Sequence, residues 1–139
     1  TAFKIATVPD VTNDYVMAIG FQDNWPTGIS NGCYFLLDRT IHVTNWQCVT
    51  NKAGVKTTAD SGVVPVNATF TNLRIEVNAA GTSVTFYIDG TLVATTATNI
   101  PTAAIGPITI GRWVAGAAVT HNYDWMCWQY QTSAARGTL

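Results

Sequence analysis

Charge is what this sequence has least of. Asp, Glu, Lys and Arg make up 11% of its 139 residues, against about 25% in an average soluble domain. The formal net charge is −1, and Glu76 is the only glutamate. A basic footprint for nucleic acid is therefore missing, and no Lys/Arg cluster offers itself to an anionic membrane. No run of roughly 18 apolar residues occurs, so no membrane-spanning helix and no membrane insertion are expected. The opening stretch, TAFKIATVPDVTND, has no signal-peptide core, and it does not begin with Met, as expected of a fragment or a mature product. Helix signals are nearly absent, since no window sustains apolar residues at i, i+3, i+4 and i+7. Cysteine is scarce and odd in number: Cys33, Cys48 and Cys127 leave at least one thiol unpaired within the chain. No CxxC and no histidine at zinc spacing accompanies them. Three free thiols in packed positions are expected, with a Cys33–Cys48 bridge as the alternative. Free thiols point to assembly in a reducing cytoplasm.

What remains is β-structure. Hydrophobic residues make up 47%, enough for a core, and the length fits a single domain over 1–139. The clearest stretch is RIEVNAAGTSVTFYIDGTLVATT. Leu73, Ile75 and Val77 alternate with Arg74, Glu76 and Asn78, the period of a half-buried strand. Gly81 breaks the pattern in a turn. Val84, Phe86 and Ile88 then alternate with Ser83, Thr85 and Tyr87, and Asp89-Gly90 is a strong type I′ hairpin signal. The residues predict a three-strand antiparallel meander with an Arg74–Glu76 surface pair.

Further strand-like runs lie near 3–8, 14–22, 32–38, 41–43, 45–50, 54–60, 63–66, 107–112 and 122–131. Many short strands in one small domain predict a two-sheet antiparallel sandwich or jelly roll. Two runs are apolar on both faces: CYFLL at 33–37 and DWMCWQY at 124–130. In the second, Met126, Trp128 and Tyr130 point one way, Trp125 and Cys127 the other. A strand apolar on both faces is covered on both. A loop, a symmetry mate or a ligand would have to cover the outer side, which makes Trp125 and Cys127 candidate interface residues.

GFQDN, NGCYFLLD, NWQCVT, LRIEVNAAGTSVTFYIDGTLVATTATNIP and DWMCWQY follow one another in an order that resembles a concanavalin A-like jelly-roll domain, over about residues 15 to 131. The version it looks like is carried by bacteriophage tail fibres, tailspikes and other virion surface proteins. The resemblance implies two packed antiparallel sheets, with the meander supplying central strands and the 124–130 strand pairing near them. It implies a homotrimer on a virion appendage, assembled in the host cytoplasm and in contact with other virion proteins. Two functions go with it: a non-catalytic domain binding a host receptor such as a glycan, or a structural module for trimerisation, capping or capsid decoration. Fold alone does not choose between them.

Glycanases of this fold place two carboxylates four residues apart on a cleft strand, where acid and nucleophile come close enough for retention. Here only Asp10 and Asp14 have that spacing, beside Pro9. His42 and His121 are far apart in sequence, and no GxSxG elbow occurs. No enzyme activity, cofactor or metal site is expected, although Asp10, Asp14 and Asp23 are the carboxylates that a calcium site could draw on. Sugar sites pair an aromatic ring with amide or carboxylate groups that meet hydroxyls. The candidates are Trp25 with Asp23 in QDNWPTG, Trp46 beside Asn45 and Gln47, Tyr87 on the polar side of its strand, Trp113 after Arg112, and His121 with Tyr123. For each, ordinary packing is the alternative.

Overall fold

The computed structural model describes residues 1–5, 14–23, 28–38, 42–103, 105–115 and 121–125. These form ten strands: β1 (Ala2–Ile5), β2 (Asp14–Gln22), β3 (Gly32–Asp38), β4 (His42–Lys52), β5 (Val55–Asp60), β6 (Phe70–Val77), β7 (Val84–Ile88), β8 (Thr91–Thr96), β9 (Gly106–Ala115) and β10 (His121–Trp125). They pair antiparallel in two five-stranded sheets, ordered β10-β1-β6-β7-β8 and β5-β4-β3-β2-β9. The protein is thus an all-β, two-sheet sandwich of jelly-roll-like form, as its turn-punctuated alternation predicts.

The meander lies where the sequence places it. Leu73 faces Ile88, Ile75 faces Phe86 and Val77 faces Val84 across β6 and β7. Asp89 and Gly90 have φ of 49° and 81°, both positive as a type I′ turn requires. The Asp89 carboxylate accepts the Asn72 N–H at 2.7 Å, and the Asp89 N–H donates to the Asn72 carbonyl at 2.8 Å. The hairpin turn is thereby tied to the strand beside it. At the other turn Gly81 has φ of 66°. The Asn78 side-chain oxygen there accepts the N–H groups of Thr82 and Ser83 at 2.7 and 3.1 Å. The meander supplies the central strand of its sheet, β6, and the interior strand β7. β8 is an edge, and β10 pairs with β1, which separates it from β6.

The inward residues of the two sheets share one core. Tyr15, Met17, Ile19, Cys33, Phe35, Leu37, Trp46 and Cys48 from one sheet meet Leu73, Val84, Phe86 and Ile88 from the other. Phe35 sits at its centre, edge-on to Phe86 at 5.3 Å and to Trp46 at 6.1 Å between ring centroids, the geometry that aromatic quadrupoles prefer. Each such side chain contributes about 1.5–3 kcal/mol through burial. Cys33 and Cys48 are both free thiols; the Cys33–Cys48 bridge does not form. Burial pushes both thiols up to about 12, with the Asp60 charge adding to the effect at Cys48.

β3 is buried at every position, as the double-sided CYFLL predicts. Its outward residues Tyr34 and Leu36 form a second cluster with Ala18 and Val49, against which Val16 and Ile29 pack. The single chain therefore buries this outer face without a symmetry mate.

Two strand expectations change. The break expected between the runs at 41–43 and 45–50 does not end the strand: β4 runs from His42 through Thr44 to Lys52, with an irregularity in its pairing to β3 between Leu36 and Asp38, and the Asn45 amide donates to both Asp60 carboxylate oxygens at 2.9 and 3.1 Å. Residues 63–66 are not a strand. Pro65 lacks an N–H to continue a ladder, and the segment is held at its start, where Trp46 N–H donates to Val63 O at 2.9 Å, and by a turn at its end, where Thr69 N–H donates to Val66 O at 3.4 Å.

Candidate functional site

The outer face of the second sheet carries the feature that ordinary packing leaves unexplained. Strand alternation puts Ala18, Gly20 and Gln22 of β2 on that face, next to Tyr34 and Leu36 of β3 and Val49 and Asn51 of β4. Gln22, Gly32 and Asn51 stand in one cross-strand row. Tyr34 stands in the next row, paired with Gly20 and Val49.

Gln22 is 1% exposed and Asn51 0%. Both amide atoms of Gln22, the Tyr34 hydroxyl and the Asn51 side-chain oxygen are buried without a hydrogen-bond partner among the described residues. Among the described residues only Trp46 Nε1, in the core, shares that condition. Buried polar atoms are nearly always satisfied, and each orphan costs about 1–3 kcal/mol. Four of them lie on three neighbouring side chains, a grouping that a bound water or a ligand group would satisfy.

The walls of this place follow from the chain. Asn51 donates through its amide to the Ile29 carbonyl at 2.7 Å, which holds the segment before β3 across the end of the sheet. Gly32 permits the close approach: a Cβ there would meet the Tyr34 ring at 3.1 Å and the Ile29 side chain at 3.3 Å. The Tyr34 hydroxyl is neutral: burial pushes it up to about 12, and hydrogen bonding with the Asn51 side chain beside it opposes that only in part.

Asp23 follows Gln22 at the exposed end of β2. Its carboxylate accepts Ser30 N–H at 3.0 Å and the Asn31 amide at 2.8 Å. Its own N–H donates to Asn31 O at 3.0 Å. The bonds from Asn31 and Ser30 hold this carboxyl below its usual range. Asn31 in turn accepts the Ala53 N–H at 3.1 Å, and Gly54 N–H donates to Ser30 O at 2.8 Å. The loop before β3 and the β4–β5 turn are thus tied together around Asp23, at the rim of the buried polar group.

The other sequence candidates do not converge there. Trp46 is a core residue, 0% exposed, and presents no ring to a ligand; its alternation with Cys48 on β4 turns it inward. Tyr87 lies on the outer face of the opposite sheet with the Arg74 guanidinium 3.7 Å from its ring centroid, and Arg74 pairs with Glu76 as expected. Trp113 is in register with Tyr15, at the far end of β2 from Gln22, roughly 20 Å away at strand rise. His121 and Tyr123 belong to β10, paired with Ile5 and Phe3 at the edge of the other sheet, and Trp125 pairs with Ala2. Trp25, Asp10, Cys127 and residues 126–130 lie outside the described residues. Sequence reasoning passed over Gln22, Tyr34, Asn51 and Asn31. Their signal was the alternation of β2, β3 and β4, which sets neutral polar residues on the same side as Ala18, Leu36 and Val49.

Among the described residues no group of three or more His, Cys, Asp or Glu is placed to hold a metal ion. A family model described as SO2946-like, C-terminal domain, matches residues 1–125. The chain belongs to this family. No curated protein and no solved structure matches it.

Proposed function

We propose that this chain is a non-catalytic recognition domain of a virion surface or tail-fibre protein, and that it binds a glycan receptor on the host cell at the end of the sandwich where β2, the loop before β3 and the β4–β5 turn meet. The observation that carries the reading is the group of neutral side chains there, Gln22, Tyr34 and Asn51, which keep buried hydrogen-bonding atoms without a partner among the described residues. Recognition of sugars draws on such groups with little need for formal charge. The virion setting rests on the resemblance of the sequence to phage appendage domains. Trp25, two residues after Asp23, is the ring proposed to stack on a pyranose. A glycan array probed with the purified domain tests the reading: binding to a restricted set of glycans supports it, and an empty array opposes it.

A second reading, a structural module that trimerises or joins other virion proteins, is favoured by exposed apolar side chains. Val55, Val64, Val66 and Leu92 are 56–60% exposed. Light scattering at micromolar concentration tests its self-assembly: a trimer supports assembly through the domain itself, and a monomer removes that part of the reading.

A further inference from the structure

Asn31 is the only asparagine in the chain that precedes a glycine. An Asn-Gly pair is the sequence most open to deamidation. The backbone nitrogen of the following residue attacks the side-chain carbonyl carbon, and glycine sets no Cβ in the way. A bond forms between Gly32 N and Asn31 Cγ. The Gly32 N–H proton passes through water to the side-chain nitrogen, and ammonia leaves. Water then opens the cyclic imide to aspartate or isoaspartate, so the net exchange is ammonia for water.

The fold requires both residues of this pair. A Cβ at residue 32 would meet the Phe21 carbonyl oxygen at 2.6 Å, so the close approach of β2 and β3 needs glycine there. Asn31 acts as a clasp. Its amide donates to the Asp23 carboxylate at 2.8 Å, and its side-chain oxygen accepts the Ala53 N–H at 3.1 Å. Gly32 is buried in the ladder between Gln22 and Asn51. Ring closure folds the side chain back over its own peptide. The amide must therefore leave both partners, which takes a local opening of the loop.

The product does not fit the same contacts. Aspartate at 31 would set a second carboxylate against that of Asp23, which is already held ionised. Like charges at that range repel, and isoaspartate would also lengthen the backbone at the entry to β3. We propose that Asn31 is a deamidation site held in check by its contacts with Asp23 and Ala53, and that its conversion unfastens the loop before β3 from its neighbours. Neither outcome of the glycan array bears on this.

The parent, Asp23→Ala and Trp46→Phe are incubated folded at pH 8, beside the parent unfolded in guanidinium. Mass spectrometry follows the peptide carrying Asn31 for replacement of its amide by a carboxyl. The unfolded parent is expected to convert fastest and the folded parent slowest. Asp23→Ala removes the acceptor of the Asn31 amide and of Ser30 N–H, and is expected to convert roughly tenfold faster than the folded parent. Trp46→Phe weakens the core and leaves the clasp intact, so its rate should stay near the parent's. Equal or slower conversion in Asp23→Ala overturns the proposal, as does a folded parent that converts as fast as the unfolded one. Equal acceleration in both variants assigns the route to global unfolding and overturns the clasp. Asn31→Asp, which supplies the product directly, is expected to melt below the parent at pH 7; equal melting overturns the effect on the loop.

Discussion

The Asn31 side-chain amide donates to the Asp23 carboxylate at 2.8 Å, while the Asp23 N–H donates to the Asn31 carbonyl at 3.0 Å. The two residues close the ends of the β2–β3 connection onto each other. The contact couples a local turn to the rim of the buried polar group, and it gives the loop a pH dependence.

The Asp23 carboxyl is held below its usual range by these bonds. A depressed folded pKa contributes stability above the unfolded value, about 3.9, and that stability is lost as the pH falls through the folded pKa. Asp23→Asn is therefore expected to melt below the parent at pH 6 and to converge with it towards pH 2. Melting curves across that range check the sign. The exposed position keeps the effect small, ~1 kcal/mol or less.

Trp46 is a core residue, so Trp46→Ala is expected to cost about 3–5 kcal/mol in chemical denaturation. Trp46→Phe should cost clearly less. In either variant any lost glycan binding should follow the unfolded fraction and nothing more.

At the hairpin turn, Gly90→Ala forces a Cβ into φ of 81° and should cost about 1–2 kcal/mol. Asp89→Asn keeps both the tolerance of positive φ and an oxygen for the Asn72 N–H, and should stay within about 0.5 kcal/mol. Urea titration of the two variants separates turn strain from the loss of charge.

The thiols of Cys33 and Cys48 are buried and held protonated up to about 12. In a Cys127→Ser background the native protein is expected to leave a thiol reagent unreacted at pH 8, and to release two equivalents once unfolded in guanidinium. Rapid native labelling would contradict their burial.

Much of the fold was legible because alternation and turn chemistry agree locally. β2, β3 and β8 fall on the residues that the sequence pattern marks, and the Asp89-Gly90 turn has the φ values its residues prefer. The run at 63–66 misled because Val63, Val64 and Val66 carry β-propensity while Pro65 denies the ladder its donor. Sheet order was not legible: nothing local to β1 says that it lies between β6 and β10. The site was legible only in part. Asp23 stands at its rim, whereas Trp46, a candidate because of its polar neighbours Asn45 and Gln47, is buried in the core. Gln22, Tyr34 and Asn51 come together only once three strands are in register, which no single segment reveals.

The most direct test of the account is a two-dimensional amide NMR titration of the isotopically labelled domain with the best-binding glycan from the array. The account predicts shift changes concentrated at Gln22, Asp23, Ser30, Asn31, Tyr34 and Asn51. Changes confined to the Arg74–Tyr87 face of the opposite sheet, or none at saturating sugar, would contradict it.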